Sequence, residues 1–409
     1  MTNHCTKIEH CLACGSEDLV FQLDLGTQAL ANNYIDSLQV DEPKFPLAVN
    51  RCNHCNHLQL THAVDPAIIY KHYLYVSGTS QTGRDHFEWF ARFAREYFDK
   101  PPVKVLDIGC NDGTQLDFFK SHGMVTYGID PAENLYPLSS KNHNIYCDFF
   151  NDATADKLVA DGLRPDIIVA QNSFAHNPDP LGYLKNISKI MKNRSLFFIQ
   201  TSQADMVVNN EFDTIYHEHI NFFNVNSMNE LCKRAGLALI DVVKAPIHGT
   251  SYIFVIGTNE DKPARIENLI HVEASQGLMS AERYEAWANS VSDMVEELVG
   301  RVEGYNEHHG YKVIGYGAAA KGNTLLQYSG LRPDVIIDDN PRKQGLCTPG
   351  TNIPIVSIDY LDQFGEDDKL LFVPLAWNFY DEIRDRIKAK RDNRGDRFAR
   401  YFPTVEIEQ

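Results

Sequence analysis

The chain has little positive charge for its length and no long apolar run. Its 409 residues carry 38 Lys and Arg against 55 Asp and Glu, a formal net charge of −17. Nucleic-acid-binding proteins usually present a basic stripe to the phosphates, so the composition argues against that class of partner. No apolar stretch reaches the length of a membrane span, and the amino-terminal end lacks the charged-then-apolar pattern of a signal peptide. We therefore expect a cytoplasmic protein without a nucleic-acid or membrane partner.

A disulfide framework is also missing, because the cysteine count is nine, an odd number, in a chain expected to be intracellular. Five cysteines are scattered, and four form two Cys-x-x-Cys pairs, Cys11/Cys14 and Cys52/Cys55. Two such pairs can place four thiolates around one tetrahedral Zn²⁺. A redox Cys-x-x-Cys motif would occur singly within a thioredoxin-like sequence pattern, and this sequence has no such pattern. The sequence predicts a zinc-binding domain over residues 1–70, in which four protein ligands leave no open position for catalysis.

Histidines near these cysteine pairs are expected to be ordinary surface residues. They are His4, His10, His54 and His57.

Strands alternate with helices from about residue 100 to residue 257. A buried strand over 103–108 runs into a glycine-containing turn and a helix, and an amphipathic helix is predicted earlier, over 85–98. Further strands are predicted at 125–129, before Asp148, and at 166–170, 196–200, 237–243 and 252–257. This alternation predicts a parallel, doubly wound α/β sheet with a ligand at the carboxyl ends of its first strands.

The first turn distinguishes between cofactors. A nicotinamide cofactor requires Gly-x-Gly-x-x-Gly, whereas residues 107–113 read Asp-x-Gly-x-x-Asp-Gly. This motif resembles the class I S-adenosylmethionine-dependent methyltransferases, and an NAD-dependent Rossmann enzyme is the disfavoured alternative. Asp130, after the second strand, is spaced to bind the hydroxyls of a ribose. The cofactor-binding residues expected from the resemblance are Asp107, Gly109, Asp130, Asp148, Phe149, Gln171 and Asn172.

Two loops rich in titratable side chains follow the fourth and fifth strands. His176 lies in the first loop, and the second contains Tyr216, His217, Glu218 and His219. Because both loops follow parallel strands, they should border the same crevice. Imidazole, carboxylate and phenol groups in apolar surroundings are typical of proton transfer near neutral pH. Considered alone, the stretch is equally compatible with a loop around a core histidine.

A third domain is predicted over 311–409, after a helical linker at 259–310. It begins with a strand, the small-residue turn Gly317-Ala-Ala-Ala-Lys321 and a helix, which is again a Rossmann-like arrangement. A helix amino terminus with Lys321 and Lys343 nearby can bind phosphate. The alternative is a domain that only braces the enzyme. Predicted substrate-binding residues are Lys321, Asn323, Asp338, Asn340, Lys343 and Trp377.

The order of these features resembles the nucleotide-sugar C-methyltransferases, which add a branching methyl group to a keto-deoxysugar nucleotide. The resemblance implies a class I methyltransferase domain over 71–258, flanked by the zinc domain and the Rossmann-like domain, with S-adenosylmethionine and structural Zn²⁺ as cofactors. It implies a dTDP-type keto-deoxysugar as substrate, in a monomer or homodimer. The catalytic residues that it implies are His219 as the base, with Glu218, Tyr216, His176 and either Tyr75 or Tyr73.

One segment departs from the family pattern. Members of that family often have Gly-Gly-Ser-x-Arg after the sixth strand, whereas this chain has Gly249-Thr250-Ser251-Tyr252-Ile253. The missing arginine leaves the identity of the sugar open. The expected reaction is methylation at C3 of a 4-keto-6-deoxy sugar through an enolate. An O- or N-methyltransferase and a non-catalytic nucleotide-sugar-binding protein are the alternatives.

Overall fold

The computed structural model describes residues 4–36, 42–71, 73, 75–203, 205–259, 263–392 and 395–409. Contacts divide the chain into two compact units, each assembled from three separate segments. Unit 1 comprises Met1–Phe21, Val49–Ala204 and Glu218–Ser280, and unit 2 comprises Gln22–Ala48, Asp205–His217 and Ala281–Gln409. The domain boundaries at 70/71, 258/259 and 310/311 stay predictions.

The strands are named in chain order. They are β1 (Cys5–Lys7), β2 (Leu19–Ala29), β3 (Lys44–Cys52), β4 (Leu58–Leu60), β5 (His62–Val64), β6 (Lys104–Ile108), β7 (Val125–Ile129), β8 (Asn144–Tyr146), β9 (Ile167–Gln171), β10 (Leu196–Thr201), β11 (Asn221–Phe222), β12 (Ala238–Ala245), β13 (Ser251–Gly257), β14 (Lys312–Tyr316), β15 (Val335–Ile337), β16 (Ile355–Val356), β17 (Leu370–Pro374), β18 (Arg397–Arg400) and β19 (Glu406–Glu408).

The helices are named in the same way. They are α1 (Pro66–Tyr70), α2 (Gln81–Glu96), α3 (Thr114–Ser121), α4 (Tyr136–Ser139), α5 (Asp152–Ala160), α6 (Pro180–Ile190), α7 (Val225–Arg234), α8 (Pro263–Ser275), α9 (Ala281–His309), α10 (Ala320–Ser329) and α11 (Tyr380–Lys390). Short 3₁₀ helices occupy Ser77–Thr79, Phe174–His176, Ile358–Gln363 and Trp377–Phe379. Among the described residues, no helix is long and apolar enough to cross a membrane.

Unit 1 is built on a seven-stranded sheet with the order β12-β13-β10-β9-β6-β7-β8. The five strands from β10 to β8 in this order are parallel, and β13 is antiparallel to both of its neighbours. Apolar side chains alternate between the two faces: Val105 and Phe198 pack on one, and Leu106 and Phe197 on the other. Burial on both faces is what a parallel sheet requires, and the predicted α/β fold class is confirmed.

Helix α2 covers one face of this sheet through Phe90, Ala91 and Ala94. It begins at Gln81, earlier than the predicted residue 85, because the Ser80 hydroxyl accepts the Gly83 amide at 3.0 Å and caps the helix. The cap orients α2 beside α3, the helix that follows the glycine turn.

Unit 2 contains a second α/β sheet with the order β16-β15-β14-β17-β18-β19, parallel except for β19. The segment Asp205–His217 belongs to this unit, where the Trp287 indole donates to the Glu211 carbonyl at 2.9 Å. The two helices found in the predicted 259–310 linker belong to different units: α8 packs on α7 and β12, and α9 opens the last segment of unit 2.

Candidate active site and zinc centre

The four cysteines of the two Cys-x-x-Cys pairs meet in unit 1. Their sulfur atoms all lie within 4.8 Å of one another, with Cys11 3.6 Å from Cys55 and Cys14 3.5 Å from Cys52. A Zn–S bond of about 2.3 Å gives tetrahedral S···S separations of roughly 3.8 Å, so the thiolates fit zinc. The cluster is a structural zinc site with four protein ligands.

The second cysteine pair is joined to the methyltransferase part of unit 1 around the start of α7. The Asn224 carboxamide donates to the Asn56 carbonyl at 2.8 Å, and the Asn226 carboxamide donates to the Cys55 carbonyl at 3.2 Å. His57 is completely buried, so the prediction that it is a surface residue is wrong. Burial lowers the pKa of its imidazole to about 4, while its hydrogen bond to the Asn221 side-chain oxygen and the Cys52 charge act in the opposite direction.

The glycine turn after β6 has the backbone shape that the methyltransferase motif predicts. Gly109 and Gly113 have φ of +83° and +87°, and a Cβ at Gly109 would lie 2.6 Å from the Ser173 Cβ, so only glycine fits there. The Asp130 carboxylate accepts the amides of Asn111 and Ala132, each at 2.8 Å. Asp130 therefore ties the turn to the end of β7.

Three carboxyl groups influence one another around this turn. Asp107 is buried, and its burial, followed by the charges of Asp130 and Asp112, raises its pKa to about 8. Burial also raises the pKa of Asp130. Such a group of carboxyls favours a cationic ligand, and S-adenosylmethionine carries a sulfonium and an ammonium.

Two buried polar atoms lie at the end of β9. The Gln171 Oε1 and Asn172 Oδ1 atoms have no hydrogen-bond partner among the described residues, although the Gln171 amide donates to Gln115 at 2.8 Å. Buried polar groups are normally satisfied, so these oxygens are suited to a polar ligand. Asp148 is exposed and accepts the Phe149 amide at 2.7 Å, a local bond that leaves the adenine contact predicted for this pair untested.

The 3₁₀ turn Ser77–Thr79 packs onto the glycine turn, which the sequence did not predict. The Ser77 amide donates to the Asn111 side chain at 3.0 Å, and the Gly78 amide donates to Asp112 at 3.1 Å. Nothing in the sequence identified Asn111 and Asp112 as partners of this turn.

The loops after β9 and β10 bring two imidazoles together. The rings of His176 and His219 have centroids 5.2 Å apart, and the Ile220 amide donates to the Ala175 carbonyl at 3.0 Å. His176 also stacks on Tyr70 at 5.6 Å, and its buried Nε2 atom has no hydrogen-bond partner in the part of the chain that the structure describes. Burial lowers the pKa of His176 to about 4, so this imidazole is neutral at physiological pH.

Glu218 is bonded to Tyr73, one of the two tyrosines that the sequence left open. The Tyr73 hydroxyl donates to the Glu218 carboxylate at 2.6 Å, and Glu218 is buried. Tyr75 is 44% exposed, and its backbone carbonyl accepts the Asn111 carboxamide at 3.1 Å. The geometry therefore favours Tyr73 over Tyr75 as the pocket tyrosine.

The chain passes from unit 2 to unit 1 between His217 and Glu218. Tyr216 and His217 thus close the second unit's segment, whereas Glu218 and His219 belong to unit 1. The His217 Nε2 atom contacts the Phe45 carbonyl at 3.2 Å, and burial lowers its pKa to about 4. This contact gives His217, which the sequence left without a role, a structural role in unit 2.

The predicted substrate-binding residues of unit 2 fall into two groups. The Lys321 ammonium lies 4.8 Å over the Trp377 ring, and the Trp377 indole donates to the buried Asp213 at 2.8 Å. Burial raises the pKa of Asp213 to about 7, against the opposing charge of Lys321. These side chains gather around the start of α10.

The other group is engaged with backbone atoms. Asp338 accepts the amides of Ala318 and Asn340 at 2.7 and 2.8 Å, and Lys343 donates to the Ala318 carbonyl at 2.6 Å. Asn323 is fully buried and donates to the Ala31 carbonyl at 2.6 Å. The Asn323 side chain therefore bonds within the interior of unit 2, and its predicted substrate contact stays a prediction.

Family models match the chain in three consecutive ranges: a zinc binding domain over 11–70, a methyltransferase domain over 79–242 and a C-methyltransferase C-terminal domain over 246–403. C-methyltransferase NovU of Streptomyces niveus is 31% identical over 416 residues, covering 98% of this chain and 97% of NovU. A ubiquinone biosynthesis O-methyltransferase of Coxiella burnetii is 25% identical over 163 residues, covering 35% of this chain and 67% of that protein.

Among solved structures, the plantazolicin methyltransferase BpumL in complex with SAH matches at a TM-score of 0.35 and 16% identity. The match covers 44% of this chain and 86% of that one. A structural similarity this weak does not bear on the function of this chain.

Proposed function

Because the chain belongs to the S-adenosylmethionine-dependent C-methyltransferase family that includes NovU, we propose that it methylates C3 of a nucleotide-linked 4-keto-6-deoxy sugar. The observation that carries this proposal is the pair of imidazoles 5.2 Å apart beside the Tyr73–Glu218 hydrogen bond, in the unit that contains the methyltransferase sheet. Methyl transfer to carbon needs such groups, because carbon becomes nucleophilic only after it loses a proton.

The proposed reaction begins with proton removal by His219 from the carbon next to the sugar ketone. The enolate oxygen that results needs a hydrogen-bond donor. The buried Nε2 atom of neutral His176 suits this role, because no described residue pairs with it. When bound, S-adenosylmethionine would supply an electrophilic methyl group to the deprotonated carbon, and S-adenosylhomocysteine would leave as the C–S bond breaks. Glu218, fixed by Tyr73, orients the histidine segment, and burial of the site limits access of water.

The nucleotide end of the substrate is proposed to bind in unit 2, with Lys321 and Trp377 as its main contacts and Asn340 and Lys343 as further candidates. An ammonium above an indole at the start of a helix suits a base and its phosphates. A dTDP sugar is the first candidate to test.

The decisive experiment incubates the protein with methyl-labelled cofactor and a panel of keto-deoxysugar nucleotides, and locates the label by NMR. We expect a new methyl group on C3. A label on oxygen or nitrogen would replace the proposal with O- or N-methylation, and no labelled product with any keto sugar would reject this substrate class.

Cofactor affinity should depend on pH through Asp107. Its pKa of about 8 in the cofactor-free protein must fall when a cation binds beside it, so binding below pH 8 releases a proton. Affinity should therefore rise as pH increases from 6 to 8, by up to about tenfold per unit. Calorimetry of wild type and Asp107→Asn measures this difference, and the cofactor's own amino group titrates equally in both. If cofactor affinity changed with pH in the same way in both proteins, Asp107 would not belong to the cofactor site.

Tyr73→Phe should lower kcat, and Tyr75→Phe should not. The first substitution removes the 2.6 Å bond to the Glu218 carboxylate, and a hydrogen bond to a charged group contributes about 1.5–3 kcal/mol. We expect roughly a tenfold or greater loss of kcat with cofactor affinity retained. Equal losses in both variants, measured by steady-state kinetics, would contradict the assignment of Tyr73.

A further inference from the structure

Asn221, the first residue of β11, holds the loop that contains His176. The Asn221 carboxamide is fully buried, and its Nδ2 atom donates to the Asn177 carbonyl at 2.8 Å and to the Ala175 carbonyl at 3.3 Å. These two carbonyls flank His176 on either side. One side chain, two residues beyond His219, therefore fixes the backbone on both sides of the other histidine.

His57 in turn holds Asn221. Because the Asn221 amide nitrogen donates to two carbonyls, its Oδ1 atom must be an acceptor, and it lies 3.1 Å from the His57 Nε2 atom. That ring nitrogen consequently carries the hydrogen. The His57 ring also packs against Phe223 at 4.6 Å, and its backbone carbonyl accepts the amide of the zinc ligand Cys52 at 2.9 Å.

Backbone pairing gives the same connection independently. Asn221 pairs with Gln59 of β4, and the Leu60 amide donates to the Ile220 carbonyl at 2.9 Å. Gln59 also binds the first cysteine pair, because its Oε1 atom accepts the Leu12 amide at 2.8 Å. The segment after His219 is therefore paired with a strand whose own position depends on the zinc-binding loops.

We propose that His57 and Asn221 are positioning residues. They connect the histidine loops to the zinc-binding module (residues 11–70) and so fix the separation between His176 and His219. This inference rests on the proposed function, in which these two histidines handle the proton and the enolate. Neither positioning residue is among those proposed to contact cofactor or substrate. Their effect is therefore expected on proton abstraction and not on cofactor affinity.

The test compares His57→Leu, which loses the donor, with His57→Gln, which retains an N–H donor. The readouts are solvent-deuterium exchange at the substrate carbon without cofactor, kcat, cofactor Kd and zinc content. We expect His57→Leu to lose at least tenfold in exchange rate and kcat, with one zinc and unchanged cofactor Kd, and His57→Gln to recover most of the rate. His62→Leu, on β5 of the same module, is the matched control.

Asn221→Ser gives a second measurement if His57→Leu fails to fold, because the shorter side chain removes the carboxamide that donates to the two loop carbonyls. A folded variant of His57 or Asn221 that exchanges at the wild-type rate would overturn the inference. A loss of exchange no larger than the unfolded fraction of the protein would also overturn it. His219→Ala separates the two proposals. If His219→Ala still exchanges normally, the proposed base is wrong; if it does not exchange but His57→Leu does, only the positioning role fails.

Discussion

His219→Ala should abolish most turnover while the protein still binds S-adenosylmethionine. General-base catalysis contributes about 10²–10⁴-fold, so a loss of this size is expected in kcat. The loss should appear equally in solvent-deuterium exchange at the sugar carbon, because exchange requires only proton removal. His219 is buried beside His176, and the carboxyls proposed to bind the cofactor, Asp107 and Asp130, lie at the ends of β6 and β7, so cofactor affinity should change little.

His217→Gln provides the matched control, two residues away. The His217 Nε2 atom contacts the Phe45 carbonyl within unit 2, and glutamine can retain a donor to that carbonyl. We expect near-parental exchange and kcat. If His219→Ala keeps turnover within a few fold of wild type, another group removes the proton; if His217→Gln is equally inactive, the whole stretch acts through folding.

Removing zinc should have the largest effect on stability. Structural zinc sites bind with about 10–16 kcal/mol of apparent free energy, most of which is folding free energy of the module. Cys52→Ser leaves three ligands and should lose zinc, lower the melting temperature and abolish activity. The wider effect is expected because Asn224, Asn226 and Gln59 connect the zinc-binding loops with the rest of unit 1.

Cys147→Ser is the control for this substitution, because Cys147 is an exposed free thiol outside the cluster. Zinc content by elemental analysis and thermal unfolding should match wild type in that variant. A folded Cys52→Ser protein that retains full activity without zinc would show that the metal is dispensable for the fold.

The sequence predicted those features that depend on local spacing. The two Cys-x-x-Cys pairs specify a tetrahedral ligand set, and the Asp107-to-Gly113 motif predicts a glycine turn between strand and helix, in which Gly109 and Gly113 have positive φ. Each cysteine pair and the glycine turn can be recognised in the sequence because the residues that define it are close together in the chain. The choice between Tyr73 and Tyr75 could not be made from the sequence, because it depends on which hydroxyl reaches Glu218, 145 positions after Tyr73.

The prediction that His57 is a surface residue was wrong for the same reason. Beside a cysteine pair with other polar residues, nothing local marks it as buried, since its partner Asn221 comes 164 positions later. The sequence also did not show that each unit is assembled from separate segments of the chain. Segments such as Gln22–Ala48 have no sequence pattern that shows which later element covers them.

The division of unit 2 into three segments also affects how the chain can be synthesised. Ribosomes add about 5–20 residues per second, so Gln22–Ala48, with apolar residues such as Phe45 and Leu47, waits on the order of ten seconds or more for Ala281–Gln409. Unit 1, by contrast, is fully translated once Ser280 has emerged. Nascent chains that stall after Ser280 should therefore be strong substrates for chaperones, and a gene truncated at that point should yield aggregates instead of a free-standing methyltransferase domain.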